Sequence, residues 1–187
     1  MSKRILLLAS GTGSLARAIL VAHQEGVIIA NFVGLISDKD SPALAMAREF
    51  NIPARYLPML PDRNEWDRQI FAAAQQLEPE LIVSVGFMRI LAPDFVNNFK
   101  VINTHPSLLP LYPGAHAVRD ALTAGAKVTG TTVHWVDAGL DSGPVISQRK
   151  VEVAPGDDES ALHERIKIAE RALIVETLAE YGRTGTL

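Results

Sequence analysis

Ile5-Leu6-Leu7-Leu8-Ala9-Ser10-Gly11-Thr12-Gly13-Ser14 is the stretch on which the fold turns. A continuous apolar run gives way to glycines and then to a helical pattern, which predicts a buried strand feeding a helix through a tight turn. The first strand is expected over Ile5–Ala9 and the first helix from Ser14 to about Glu25, closed by Gly26. The same alternation continues outward. Strands are expected at 31–37, 54–57, 81–85, from Val101, at 129–135 and at 145–153. Between them, Ser41-Pro42 opens a helix to about Phe50, Asp62 with Glu65 makes a capping-box pattern, and a long last helix runs from Ser160 to about Tyr181. Strand–helix alternation of this kind predicts an α/β fold with a doubly wound, mostly parallel sheet, whose ligands bind beyond the C-terminal ends of the strands.

The chain has 187 residues, 48% of them hydrophobic and 21% charged, the composition of one globular domain. It is read as a single domain over 1–187, with an anion site in the N-terminal half and the remaining chemistry from about residue 86 onward. With no cysteine there is no disulfide scaffold, no thiolate metal site and no cysteine nucleophile. The net charge of -3 argues against a nucleic-acid partner. The first apolar run is too short for a signal peptide or a membrane span, so a cytoplasmic protein with no membrane partner is expected. Histidine spacing suggests no metal.

Four clusters can carry chemistry. Gly11, Thr12, Gly13, Ser14 and Leu15 lie where backbone N–H groups at a helix N-terminus can cradle a phosphate. The segment is not a P-loop, because no Lys-Ser/Thr follows. It is also an incomplete dinucleotide fingerprint: Gly11 and Gly13 are present, and Arg17 is taken to stand where a small residue would pack. The plain alternative is a tight turn. Asn103 and His105 leave a strand end on one face, since side chains alternate with period two. The amide can donate to an oxyanion and the imidazole can move a proton, although such a pair is more often structural. Asp137 and Asp141 share a glycine-rich loop, and either can orient His105 or be an exposed turn residue. Ser107 lacks the setting of a nucleophile. Gly86-Phe87-Met88-Arg89-Ile90-Leu91 offers an apolar wall with one arginine, suited to a flat heteroaromatic ligand with a carboxylate tail; a helix start is the alternative. His23, His134 and His163 are read as ordinary helix and strand residues.

Asn103-x-His105 followed by Pro-Ser-Leu-Leu-Pro, with Asp141 in Leu-Asp-x-Gly-Pro, resembles the folate-dependent formyltransferases. Phe87-Met-Arg-Ile-Leu, Tyr112-Pro-Gly and Ser10-Gly-x-Gly-Ser narrow the resemblance to the phosphoribosylglycinamide formyltransferases, from Arg4 to the last helix. The resemblance implies formyl transfer from 10-formyltetrahydrofolate, a co-substrate, to the amine of glycinamide ribonucleotide in purine biosynthesis, without a metal. It implies that Asn103, His105 and Asp141 are catalytic. Gly11, Thr12, Gly13, Ser14 and Leu15 would hold the substrate phosphate, and Glu170 its ribose. Arg63, Met88, Arg89, Ile90 and Leu91, with Asn103, would line the folate site. Both partners are small molecules, and the chain is a monomer or homodimer. Thr12 and Leu15 stand where many members carry asparagine, Val118 replaces a second histidine of some relatives, and the C-terminus stops soon after the last helix.

Related readings remain. Methionyl-tRNA formyltransferase carries a basic tRNA domain for which this chain has neither length nor charge. Formyltetrahydrofolate deformylase carries an N-terminal regulatory domain, whereas the sheet here starts at residue 4. A dinucleotide-binding module would use Asp38 or Asp40 at the end of strand two. A non-catalytic small-molecule sensor on the same fold is the fourth.

Overall fold

Lys3–Ala9 forms β1, and from Ile5 onward every side chain is buried. Alternation sends Ile5, Leu7 and Ala9 into one apolar cluster and Leu6 and Leu8 into another, on opposite faces of the sheet. A strand buried on both faces needs helices on both. In the computed structural model, which describes residues 2–187, it has them. Helices α1 (Ser14–Gln24), α2 (Pro42–Glu49) and α6 (Glu159–Thr184) supply the first cluster. Helices α3 (Arg63–Leu77) and α4 (Pro93–Asn98) supply the second.

The remaining strands are β2 (Ala30–Ser37), β3 (Ala54–Tyr56), β4 (Leu81–Ser84), β5 (Val101–His105), β6 (Val128–Trp135) and β7 (Val145–Glu152), with α5 (Ala117–Thr123) before β6. They make one seven-stranded sheet in the order β3-β2-β1-β4-β5-β6-β7. The strands from β3 to β5 are parallel; β6 and β7 add antiparallel. The expected doubly wound, mostly parallel sheet is therefore what forms. The chain moves outward from β1 to β3, then crosses back to β4 on the other side. The C-terminal ends of β1 and β4 thus flank a topological switch point, where ligands of open α/β sheets bind.

Local differences have local causes. Asp62 caps α3, its carboxylate accepting from the N–H of Asn64 (2.9 Å) and of Glu65 (3.4 Å). The Glu65 carboxylate turns instead to Arg68 and Gln69, so the capping box is half made. Ser41 precedes α2 but its hydroxyl faces that of Ser37 at 3.1 Å rather than the helix. The last helix starts one residue before Ser160, because Asp158 caps it through the Ala161 N–H. Residues 86–91 do not start a helix. Among the described residues, no helix is long and apolar enough to cross a membrane.

Candidate active site

One row of backbone register crosses the sheet beside the switch point: Leu8 on β1 pairs with Ser84 on β4, Ser84 with Asn103 on β5, and Asn103 with His134 on β6. Asn103 and His105 share a face, as period two requires, and that face meets the loop between β6 and β7. There Asp141 adopts a left-handed backbone (φ 51°), which aspartate tolerates better than most residues. One of its oxygens, Oδ2, lies 3.3 Å from His105 Nδ1 and accepts the Gly114 N–H at 2.8 Å. His105 Nε2 is 2.8 Å from the Tyr112 carbonyl. Both ring nitrogens of this buried histidine thus face oxygen atoms.

His134, which sequence reasoning passed over as a strand residue, completes this centre. Its Nδ1 donates to the Trp135 carbonyl at 2.9 Å, which leaves the lone pair on Nε2. Asn103 Nδ2 lies 3.3 Å from that lone pair and donates to it. The contact fixes which way the amide points and leaves its second N–H free. Burial holds the His134 pKa below the ordinary histidine value, with the Trp135 hydrogen bond and the Asp141 charge opposing. The neutral ring is therefore a support for Asn103. Its 3.7 Å approach to Asp141 Oδ1 is not an ion pair. Only the β5–β6 pairing could have revealed this residue, and no motif encodes it.

The Ser10–Gly13 turn begins two residues after Leu8. Since Leu8 and Asn103 are two strands apart, the turn starts about 10 Å from the centre. Gly13 has φ 75°, and a Cβ there would come within 2.9 Å of the Ala43 Cβ, so only glycine fits. The Arg17 N–H closes the first turn of α1 on the Gly13 carbonyl. Among the described residues, the N–H groups of residues 11–16 have no protein acceptor, and the first turn of α1 holds no carboxylate. A row of donors at the positive end of a helix favours an anion. The small residue of the turn is Ala16, fully buried, not the Arg17 position; Arg17 is exposed and pairs with Glu49. Leu15 packs in the core, so it has only its N–H to offer a ligand, whereas Thr12 and Ser14 are exposed.

After β4, Met88 and Ile90 are exposed while Phe87 and Leu91 turn inward. Arg63 reaches this wall from α3, its guanidinium donating to the Ile90 carbonyl at 2.5 Å and lying over the Trp66 ring. Arg89 pairs with Asp38 at 2.6 Å. Glu170, on α6, stands beside Thr104. Burial raises its pKa above the ordinary carboxylate value, while Thr104 and His105 work the other way.

Other candidates are placed elsewhere. Asp137 holds its own loop, accepting from Gly139 N–H and the Ser142 hydroxyl, so of the two loop carboxylates only Asp141 serves His105. Asp38 is buried with Ser10 and Arg89 on its two oxygens, which denies it to a dinucleotide ribose. Ser107 donates to the Leu111 carbonyl and is fully buried. His23 bonds the Ile28 carbonyl within its own turn. Among the described residues, no group of three histidine, aspartate or glutamate side chains is arranged to hold a metal ion.

An amide donor and a histidine with a carboxylate behind it are groups that acyl transfer can use. Comparison with known proteins gives the same reading: the formyl transferase family matches residues 3–178. The chain belongs to that family, among its phosphoribosylglycinamide formyltransferases. The Mycobacterium tuberculosis phosphoribosylglycinamide formyltransferase is 47% identical over 196 residues, spanning 98% of this chain and 91% of that protein. The Escherichia coli protein of the same name is 39% identical, spanning 90% of this chain and 82% of its own. Among solved structures, glycinamide ribonucleotide transformylase 1 from Symbiobacterium toebii superposes with a TM-score of 0.93 at 35% identity, covering 97% of this chain and 88% of that one.

Proposed function

We propose that this enzyme transfers the formyl group of 10-formyltetrahydrofolate to the amine of glycinamide ribonucleotide. The observation that carries the reading is the convergence of Asn103, His105 and Asp141 at the end of β5, about 10 Å from a row of unpaired N–H groups. A pentose carrying a phosphate at one end and an amide substituent at the other spans a comparable length. The phosphate sits on Gly11, Thr12, Gly13, Ser14 and the Leu15 N–H. Glu170 meets the sugar hydroxyls. The folate lies along Met88–Leu91, with Arg63 and Arg89 near its acidic tail.

The substrate amine attacks the formyl carbon, a C–N bond forms, and the carbonyl oxygen becomes an oxyanion. The free N–H of Asn103 donates to that oxygen. His105 Nε2–H, which meets the Tyr112 carbonyl here, turns to donate a hydrogen bond to the oxyanion and keeps its proton. Asp141 stabilises the doubly protonated ring and, through water, passes a proton from the attacking nitrogen to the folate nitrogen. The second C–N bond then breaks, giving formylated ribonucleotide and tetrahydrofolate. Each oxyanion donor of this kind is worth roughly 10²–10³ in rate.

The test is product identification. Incubated with 10-formyltetrahydrofolate and glycinamide ribonucleotide, the enzyme is expected to give a ribonucleotide heavier by one formyl group on its glycyl nitrogen. An unmodified ribonucleotide with free formate would mean hydrolysis.

A further inference from the structure

Beneath the two substrate regions lies a charged network whose buried acid, Asp38, the mechanism does not use. The Asp38 side chain, at the end of β2, has no exposed surface. Its Oδ1 accepts the Ser10 hydroxyl at 2.5 Å and its Oδ2 accepts Arg89 Nε at 2.6 Å. The Ser10 hydroxyl in turn accepts the Met88 N–H at 2.8 Å, and the Ser10 N–H donates to the Gly86 carbonyl at 3.1 Å. Ser10 is the first residue of the anion turn, and Met88 and Arg89 are the start of the apolar wall.

A wholly buried carboxylate is costly unless its oxygens are paired and its charge is met. Among the described residues, Arg89 is the only cationic partner of Asp38. The pair spends Arg89 Nε and leaves the terminal guanidinium nitrogens, on a side chain 33% exposed, at the seam between the two substrate regions. We propose that Asp38 is a positioning residue for both substrates: through Ser10 it sets the anion turn, and through Arg89 it sets the arginine of the folate wall. The two subsites are then held by one carboxylate. This rests on the proposed function, because it needs the ribonucleotide at the turn and the folate at the wall.

Asp38→Asn keeps the size and one acceptor and removes the charge. The KM for each substrate is expected to rise about three- to tenfold, as each arm exchanges a charge-assisted hydrogen bond for a neutral one, with kcat within about twofold. Arg89→Lys keeps the charge against Asp38 but loses the planar fork. It should raise the folate KM and leave the ribonucleotide KM unchanged, because the Ser10 arm survives. It also tests the idea should Asp38→Asn fail to fold. Unchanged KM values in folded Asp38→Asn, or an unchanged folate KM in Arg89→Lys, overturn the inference. A loss confined to kcat or to melting temperature overturns it as well. Absence of ribonucleotide-dependent transfer by the wild-type enzyme would instead overturn the functional reading, so the two failures are separable.

Discussion

Asp141 has one oxygen shared between the Gly114 N–H and the His105 ring, and that sharing defines its task. In Asp141→Asn the geometry can persist while the charge behind the imidazolium is gone. Turnover should fall by roughly 10²-fold or more, with the ribonucleotide KM within a few-fold of wild type. Steady-state kinetics at saturating folate checks this, and an unchanged kcat would remove Asp141 from the mechanism. Asn103→Ala should fold and lose about 10²–10³ in kcat, since it deletes an oxyanion donor and leaves the His134 lone pair facing a void. Wild-type activity in that variant would contradict the role. At this scale the sequence showed Asn103 and His105, because period two places them together without knowledge of the rest. It left Asp137 and Asp141 equivalent until the family resemblance chose between them, and the loop hydrogen bonds supply the physical reason. His134 was illegible, because its value comes from strand pairing and from the Trp135 carbonyl that sets its tautomer.

Among the elements, the turn between β1 and α1 is where the proposed function puts the substrate phosphate, and Leu15, a core residue, has only its N–H to offer there. Gly13→Ala sets a Cβ against α2 in a left-handed backbone. It should cost about 1–2 kcal/mol from conformation alone, with the Ala43 contact adding to it. A thermal melt should show lower stability, and the ribonucleotide KM should rise more than the folate KM. Equal stability would mean that the turn relaxes without strain. The strands and long helices were readable because their apolar runs and caps are local. The short α4 and α5 have six and seven residues, too few for a helical period to declare itself.

The whole molecule packs α6 against β6 and β7, and this brings Glu170 beside Thr104 of neighbouring β5 from far along the chain. No spacing in the sequence could show that contact; only the resemblance named the residue. Burial raises the folded-state pKa of Glu170, so between the ordinary carboxylate value and its own the native state binds more protons than the unfolded one. Stability therefore declines as pH rises through that window, and the penalty is full above it. Glu170→Gln should be more stable than wild type at neutral pH. The difference should vanish at pH values below the ordinary carboxylate value of 4.5, where the acid is neutral in both states. Urea titrations at both pH values check the sign, and a variant less stable at neutral pH would contradict the burial argument.

The central claim is that this strand-end centre moves a formyl group onto the amine of a phosphorylated sugar. The most direct measurement follows deformylation of 10-formyl-5,8-dideazafolate in the spectrophotometer, with and without glycinamide ribonucleotide. The account predicts loss of the formyl group only when the ribonucleotide is present. Equal loss without it would contradict the account by making water the acceptor, and no loss by folded enzyme in either case would contradict the assignment of the substrate pair.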